Sequence, residues 1–157
     1  MITDKAFAQQ VRDLSDTAFA AAYLILENRA DCEDAMSEAI LKAYQRRGTL
    51  LRQESFRAWF FQILRNEAYT ILRRRQRVTP VEELPEMPGE DNPAQAMDLR
   101  QALSYLSEQQ RMALLLQQEG YELKEIAVAL DIPEGTVKSR ISRAKSTLRT
   151  LLKEDKQ

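Results

Sequence analysis

Between residues 79 and 95 the chain reads TPVEELPEMPGEDNPAQ, a stretch that holds four of the five prolines and one of the four glycines in 157 residues. Proline fixes its own φ and removes a backbone donor, so this run neither continues a helix nor pairs within a sheet. Its carboxylates repel one another into an extended path. It reads as a linker, and it divides everything else. On either side apolar residues recur three and four apart, with almost no alternating β-branched runs, which is the period of helices that bury one face. Helices are predicted near 4–28, 31–47, 55–77, 96–105, 108–119, 123–130 and 134–153. The expected fold is all-α: two small helical domains, 1–78 and 96–157, joined by the acidic, proline-containing linker 79–95.

The chain has no histidine and a single cysteine, Cys32. A zinc or haem site of imidazole and thiolate lacks its ligands, and no Ser-His or Cys-His nucleophile pair can be assembled. The carboxylates are scattered on helical faces beside Arg and Lys. No catalytic group, metal site or cofactor is therefore expected. A lone cysteine forms no internal disulfide, no run approaches the roughly 18 apolar residues of a membrane span, and the start MITDKAF lacks a basic-then-apolar leader pattern. A cytoplasmic protein with no membrane insertion is expected. Asp31 and Glu33 flank Cys32, and their negative field disfavours its thiolate.

The formal charge of −1 hides unlike segments. Residues 1–78 carry 13 basic and 10 acidic side chains, residues 79–98 carry six acids and no base, and residues 99–157 carry 10 basic and 8 acidic. Two runs are sharper. Arg65 to Arg77 holds five arginines against Glu67 alone, and Gly135 to Lys153 holds six basic residues and no acid. Basic charge concentrated on helices on both sides of an acidic spacer is the footprint of a phosphate backbone.

The most specific local pattern is LKEIAVALDIPEGTVKSRISRAKSTLRTLL, 123–152, which carries the marks of a helix-turn-helix. Ala127 is the small residue where two helices meet, and Ile132 and Val137 supply packing. Asp131 stands in the turn, where positive φ is needed, and Pro133 suits the first turn of the second helix. Projection of 135–152 places Val137, Ile141, Ala144 and Leu148 on a buried stripe. The opposite face displays Ser139, Ser142, Arg143 and Ser146, with Lys138, Lys145 and Arg149 on one shoulder and Arg140 on the other. Small hydroxyls among cations permit close approach to base edges while the flanks neutralise phosphates.

In FRAWFFQILRNEAYTILRRRQR, 56–77, Phe60, Ile63, Leu64, Ala68 and Ile71 share a core face. Gln62, Arg65, Asn66, Tyr69 and Arg73 lie on the other side, with Trp59 at the boundary. An amide, guanidiniums and aromatic rings on one helical face suit single-stranded DNA, because rings stack on unpaired bases and cations track the backbone. Upstream, DCEDAMSEAILKAYQRR, 31–47, has an apolar face of Ala35, Met36, Ala39, Ile40 and Ala43. Leu41 and Tyr44 fall opposite it, among Asp34, Ser37 and Glu38. Apolar groups displayed among carboxylates mark a protein partner.

Taken in order, DCEDAMSEAILKAY, FRAWFFQILRNEAYTILRRRQR and LKEIAVALDIPEGTVKSRISRAKSTLR resemble the extracytoplasmic-function sigma factors of bacterial RNA polymerase, over nearly the whole chain. The resemblance implies a factor that binds core RNA polymerase and directs promoter-specific initiation. Residues 1–78 would correspond to sigma region two. Asp34, Ser37, Glu38, Leu41 and Tyr44 would then meet the clamp of the largest polymerase subunit, with Ser37 standing where the family usually has Gln. Trp59, Gln62, Arg65, Asn66, Tyr69 and Arg73 would recognise and help melt the minus-ten element. In the loop 46–55, Leu50 and Leu51 are the apolar candidates for holding a flipped base. Residues 96–157 would correspond to region four, reaching the polymerase flap and reading the minus-thirty-five element through Lys138, Ser139, Ser142 and Arg143, with Arg140 and Lys145 on phosphates. The resemblance also implies an anti-sigma factor as a partner. The alternative from the residues alone is a stand-alone helix-turn-helix repressor or activator, which needs neither the 31–47 surface nor the 59–73 stripe.

Overall fold

The computed structural model describes residues 1–50, 55–78 and 98–152. The linker 79–95, Leu51 of the loop and Lys153 of the second basic run lie outside the described residues. The elements are α1 (Asp4–Leu26), α2 (Arg29–Gln45), a short 3-10 turn at Arg47–Thr49, α3 (Phe56–Val78), α4 (Leu99–Ser104), α5 (Glu108–Gln118), α6 (Leu123–Leu130) and α7 (Glu134–Leu152). No strand occurs among the described residues.

Local chemistry sets the helix ends. Thr3 Oγ1 accepts the Ala6 N–H at 3.1 Å and opens α1, and Asn28 Oδ1 accepts the Asp31 N–H at 2.8 Å and opens α2. Between them Glu27 adopts φ 61° and returns its N–H to the Tyr23 carbonyl at 2.9 Å, which ends α1 two residues before its expected limit. Asp98 with Gln101, and Ser107 with Gln110, form capping boxes at the starts of α4 and α5. The turn after α6 follows the expected chemistry. Asp131 sits at φ 55°, the Ile132 N–H reaches the Ala127 carbonyl at 3.0 Å, and the Pro133 carbonyl accepts the N–H of Thr136 and Val137.

α1, α2 and α3 form one bundle around Phe60, Phe61, Leu26 and Leu64, all under 2% exposed. Ala18, Ala35, Ala39, Ala43 and Ala68 are fully buried, and their small size lets the helices approach closely. Phe7 stands edge-on to both Tyr44 and Phe56, and Phe56 stacks on Phe60. Glu67, buried at the α2–α3 seam, receives Lys42 Nζ at 2.9 Å, while Arg75 Nη1 donates to the Leu26 carbonyl and to Asp31. Ile71 and Leu148, expected in the core, are half-buried.

In the second half α5, α6 and α7 pack around Met112, Leu116, Ile126 and Val137, with α4 against α7. The two halves do not stand apart. α5 packs on α1 and α6 on α3, and one buried apolar cluster runs from Phe7 to Ile141. Two separate helix sets are present, but they share a core boundary, with Phe61 edge-on to Tyr121 at 5.7 Å between ring centroids. Among the described residues no helix is long and apolar enough to cross a membrane.

Candidate nucleic-acid and partner interfaces

The exposed face of α7 follows from what seats the helix. Val137, Ile141 and Ala144 are buried against the rest of the second half, so the residues opposite them must face outward. Lys138, Ser139, Ser142, Arg143 and Lys145 are exposed, and Arg140 is half-buried on one shoulder. The Ser139 hydroxyl donates back to the Thr136 carbonyl at 3.2 Å, leaving its lone pairs outward as acceptors. Among the described residues no ion pair engages a cation of α7. Beside this face, Gln117, Leu123, Lys138, Ser142, Lys145 and Arg149 border a hollow where α5, α6 and α7 meet. The arrangement offers a cationic ridge with small hydroxyls along its crest, the residue types that suit a duplex groove.

The stripe on α3 is different. Asn66 and Arg73 are exposed, but Trp59, Gln62, Arg65 and Tyr69 are half-buried. Trp59 leans on Phe56 at 5.8 Å. The Tyr69 hydroxyl donates to the Glu108 carboxylate of α5, 2.7 and 2.9 Å from its two oxygens, and the Arg65 guanidinium lies 5.0 Å from the Tyr69 ring centroid. Burial, then the bond to Glu108, pushes the Tyr69 phenol up to about 12. The expectation of an open single-strand face on α3 is thus corrected in one respect: part of it lies beneath the second half of the chain. Helical projection reports which residues share a face, not what a distant segment lays over it.

On α2, Asp34, Ser37, Glu38 and Leu41 form an exposed stripe, with Leu41 51% accessible. They border a groove completed by Lys42 and by Glu67, Thr70, Ile71 and Arg74 of α3. Tyr44 departs from the expected stripe. Its ring stands edge-on to Phe7 at 5.4 Å, Arg47 lies 3.8 Å over its face, and its hydroxyl donates to Asp4 at 2.9 Å. A large amphipathic ring near the end of a helix reaches around to the neighbouring α1. Leu50 is half-buried against the core.

Sequence reasoning missed the contact between the halves. Arg57, at the start of α3, places Nε and Nη2 each 2.7 Å from the two Glu125 oxygens and donates also to the Gly120 carbonyl at 3.0 Å. Ser55 Oγ donates to Glu125 at 2.7 Å. These donors, led by Arg57, hold the Glu125 carboxyl down at about 2. The Arg57 guanidinium also covers the Tyr121 ring at 4.0 Å, and burial raises the Tyr121 phenol to about 12. Glu125 accepts the Glu122 N–H at 2.9 Å, so it starts α6 and binds α3 at once. The available signal was the capping position, which accounts for one of its two tasks. Cys32 is buried, and burial, followed by the charge of Asp31, pushes its thiol up.

Comparison with known proteins adds the following. Residues 10–78 match the family model for Sigma-70 region 2, and residues 96–148 match that for Sigma-70, region 4. The chain is 34% identical over 155 residues to the ECF RNA polymerase sigma factor SigE of Mycolicibacterium smegmatis, covering 90% of this chain and 60% of that protein's length. It is 31% identical over 153 residues to the ECF RNA polymerase sigma factor SigM of Mycobacterium tuberculosis, covering 94% of this chain and 77% of that one. Among solved structures it is similar to the sigma factor RpoE of Bartonella quintana, crystallised in complex with the anti-sigma factor NepR. The TM-score is 0.74 and the identity 29%, over 97% of this chain and 99% of that chain.

Proposed function

The chain belongs to the sigma-70 family, among the extracytoplasmic-function RNA polymerase sigma factors, and from that premise we propose how its surfaces direct promoter-specific initiation. Family members are transcription initiation factors. We assign this chain no reaction of its own, and a cytoplasmic location. Region two occupies 1–78, the linker 79–95, and region four 96–157. The α2 stripe of Asp34, Ser37, Glu38 and Leu41 binds the clamp of core polymerase, with Tyr44 at its margin, and the second half reaches the flap. Asn66, with Gln62, Arg65, Tyr69, Arg73 and Trp59, takes the unpaired minus-ten strand. Rings of this kind hold an opened base by about 1–3 kcal/mol of stacking. Lys138, Ser139, Ser142 and Arg143 read the minus-thirty-five duplex, while Arg140 and Lys145 hold phosphates.

The observation that carries this reading is the exposed cationic face of α7, in no ion pair among the described residues, in a chain whose earlier residues match region two. A stand-alone repressor has no use for residues 10–78. Each half offers a modest DNA surface, so strong promoter binding requires a scaffold that holds both at once and supplies effective concentration. An anti-sigma factor is the expected negative partner, as NepR is for the Bartonella protein. Transcription from a fragmented bacterial genome by purified core polymerase, with and without the chain, tests the proposal. Chain-dependent transcripts sharing two upstream elements are expected. Tight duplex binding without polymerase association would sink it.

A further inference from the structure

Arg149 has no part in the duplex reading of α7 given above, yet it completes a line of cations. Lys138, Lys145 and Arg149 recur seven and four residues apart, so they fall within about 40° of one another and the line runs about 16 Å along the helix. It lies about a quarter turn from the crest of Ser139, Arg143 and Ser146, which faces away from the buried stripe. This shoulder borders the hollow of about 420 Å³ where α5, α6 and α7 meet, to which Leu123 and Ile141 supply apolar surface. Among the described residues none that borders the hollow is acidic, and the three cations are exposed and in no ion pair. Ser142 and Gln117 add a hydroxyl and an amide, each able to donate. Cations and donors with no carboxylate among them make a seat for an oxyanion. The opposite shoulder is poorer: there Arg140 stands between Thr136 and Thr147 along the helix, all three half-buried.

An α-helix with its side chains fills a major groove about 12 Å wide, so when its crest meets base edges each shoulder faces one of the two strands. We propose that Arg149 is a further phosphate-holding residue, and that the hollow it borders seats one strand of the duplex, so that α7 grips the two strands unequally. Lys138, at the start of the line, stands where base edge and backbone meet. Lys145 and Arg149 take phosphates further along the same strand, while Arg140 alone holds the other. Backbone contacts of this kind set register and orientation on the duplex without reading sequence. The proposal rests on the reading of α7 given above.

Arg149→Gln removes the charge at an exposed position, and Arg149→Lys keeps it. The probe is a fluorescein-labelled duplex of about 30 base pairs, selected from a random pool by the full chain and titrated at several salt concentrations. Arg149→Gln is expected to bind it about two- to fivefold more weakly, and to lower the salt slope by about 1. The sequences it selects should stay those of the parent, and Arg149→Lys should restore the slope. Methylphosphonates placed across the selected element on one strand should weaken the parent chain more than the same replacement on the other. That difference should shrink in Arg149→Gln. An unchanged salt slope in Arg149→Gln overturns the assignment of Arg149, and equal losses from the two strands overturn the unequal grip. Arg143→Ala in the same assay reports on the α7 reading by itself. If it alters which duplexes are selected while Arg149→Gln changes no slope, that reading stands and the Arg149 assignment falls; if neither variant alters binding, both fall.

Discussion

α3 and α7 are both amphipathic helices rich in arginine, and both are expected to meet DNA, yet one is partly covered and the other displayed. On α7 a narrow stripe of Val137, Ile141 and Ala144 is buried, with Leu148 half-buried beyond it, and among the described residues the cations are in no ion pair. On α3 the apolar residues spread further round, so two packing surfaces form. Ala68 and Phe60 are buried in a bundle with α1 and α2, while Phe61 also meets Tyr121 of the second half. A narrow apolar stripe leaves a helix one free face. A broad one invites a second neighbour, and that neighbour covers part of the polar side.

The largest effect that tests this contrast is Phe61→Ala. Phe61 is 1% exposed and touches both halves, so truncation should cost about 3–5 kcal/mol and weaken the contact between them, measured by calorimetric melting of the full chain. Were Phe61→Ala to cost under about 1 kcal/mol, α3 would not have two packing surfaces.

Next comes the display of α7. Arg143→Ala should lose about 1–3 kcal/mol of discrimination at one base position of the minus-thirty-five element. Arg140→Ala should weaken all duplexes alike and reduce the salt slope of binding by about 1. Competition binding against single-base variants at several salt concentrations reads both, and identical behaviour would erase the division between base and phosphate contacts.

The smallest effects are titrations at the contact between the halves. The Glu125 carboxyl is held below its ordinary 4.5, at about 2, so its stabilisation is complete above about pH 4.5 and is lost as pH falls towards 2. Tyr69 and Tyr121 are raised from 10.0 to about 12, so what they contribute is complete below pH 10 and lost as pH rises towards 12. Tyrosinate absorbance should therefore show two of the five tyrosines titrating late. In Glu108→Gln Tyr69 should titrate earlier than in the parent chain, with burial still holding it above the ordinary value.

Much of the fold was legible because its rules are local. Asp131 at positive φ and Pro133 opening α7 each depend on residues within a turn or two. So does the outward face of α7, which a helical wheel and one buried stripe determine. Glu27 is the local exception: a glutamate in the left-handed region carries no compositional signal, and α1 ended early there. What was illegible lies between distant segments. Arg57 and Glu125 are 68 residues apart, and nothing around either names the other. Projection puts Tyr44 on the α2 stripe, but its ring reaches α1, edge-on to Phe7 at 5.4 Å.

The most direct measurement of the central claim is the rate at which an arginine-selective reagent modifies each guanidinium of the free chain, read by peptide mass spectrometry. Arg143 on α7, exposed, should react quickly, and Arg65 on α3, half-buried against Tyr69, should react slowly. Equal rates for the two in the free chain would contradict an account in which one DNA-facing helix is displayed and the other is partly covered by the second half.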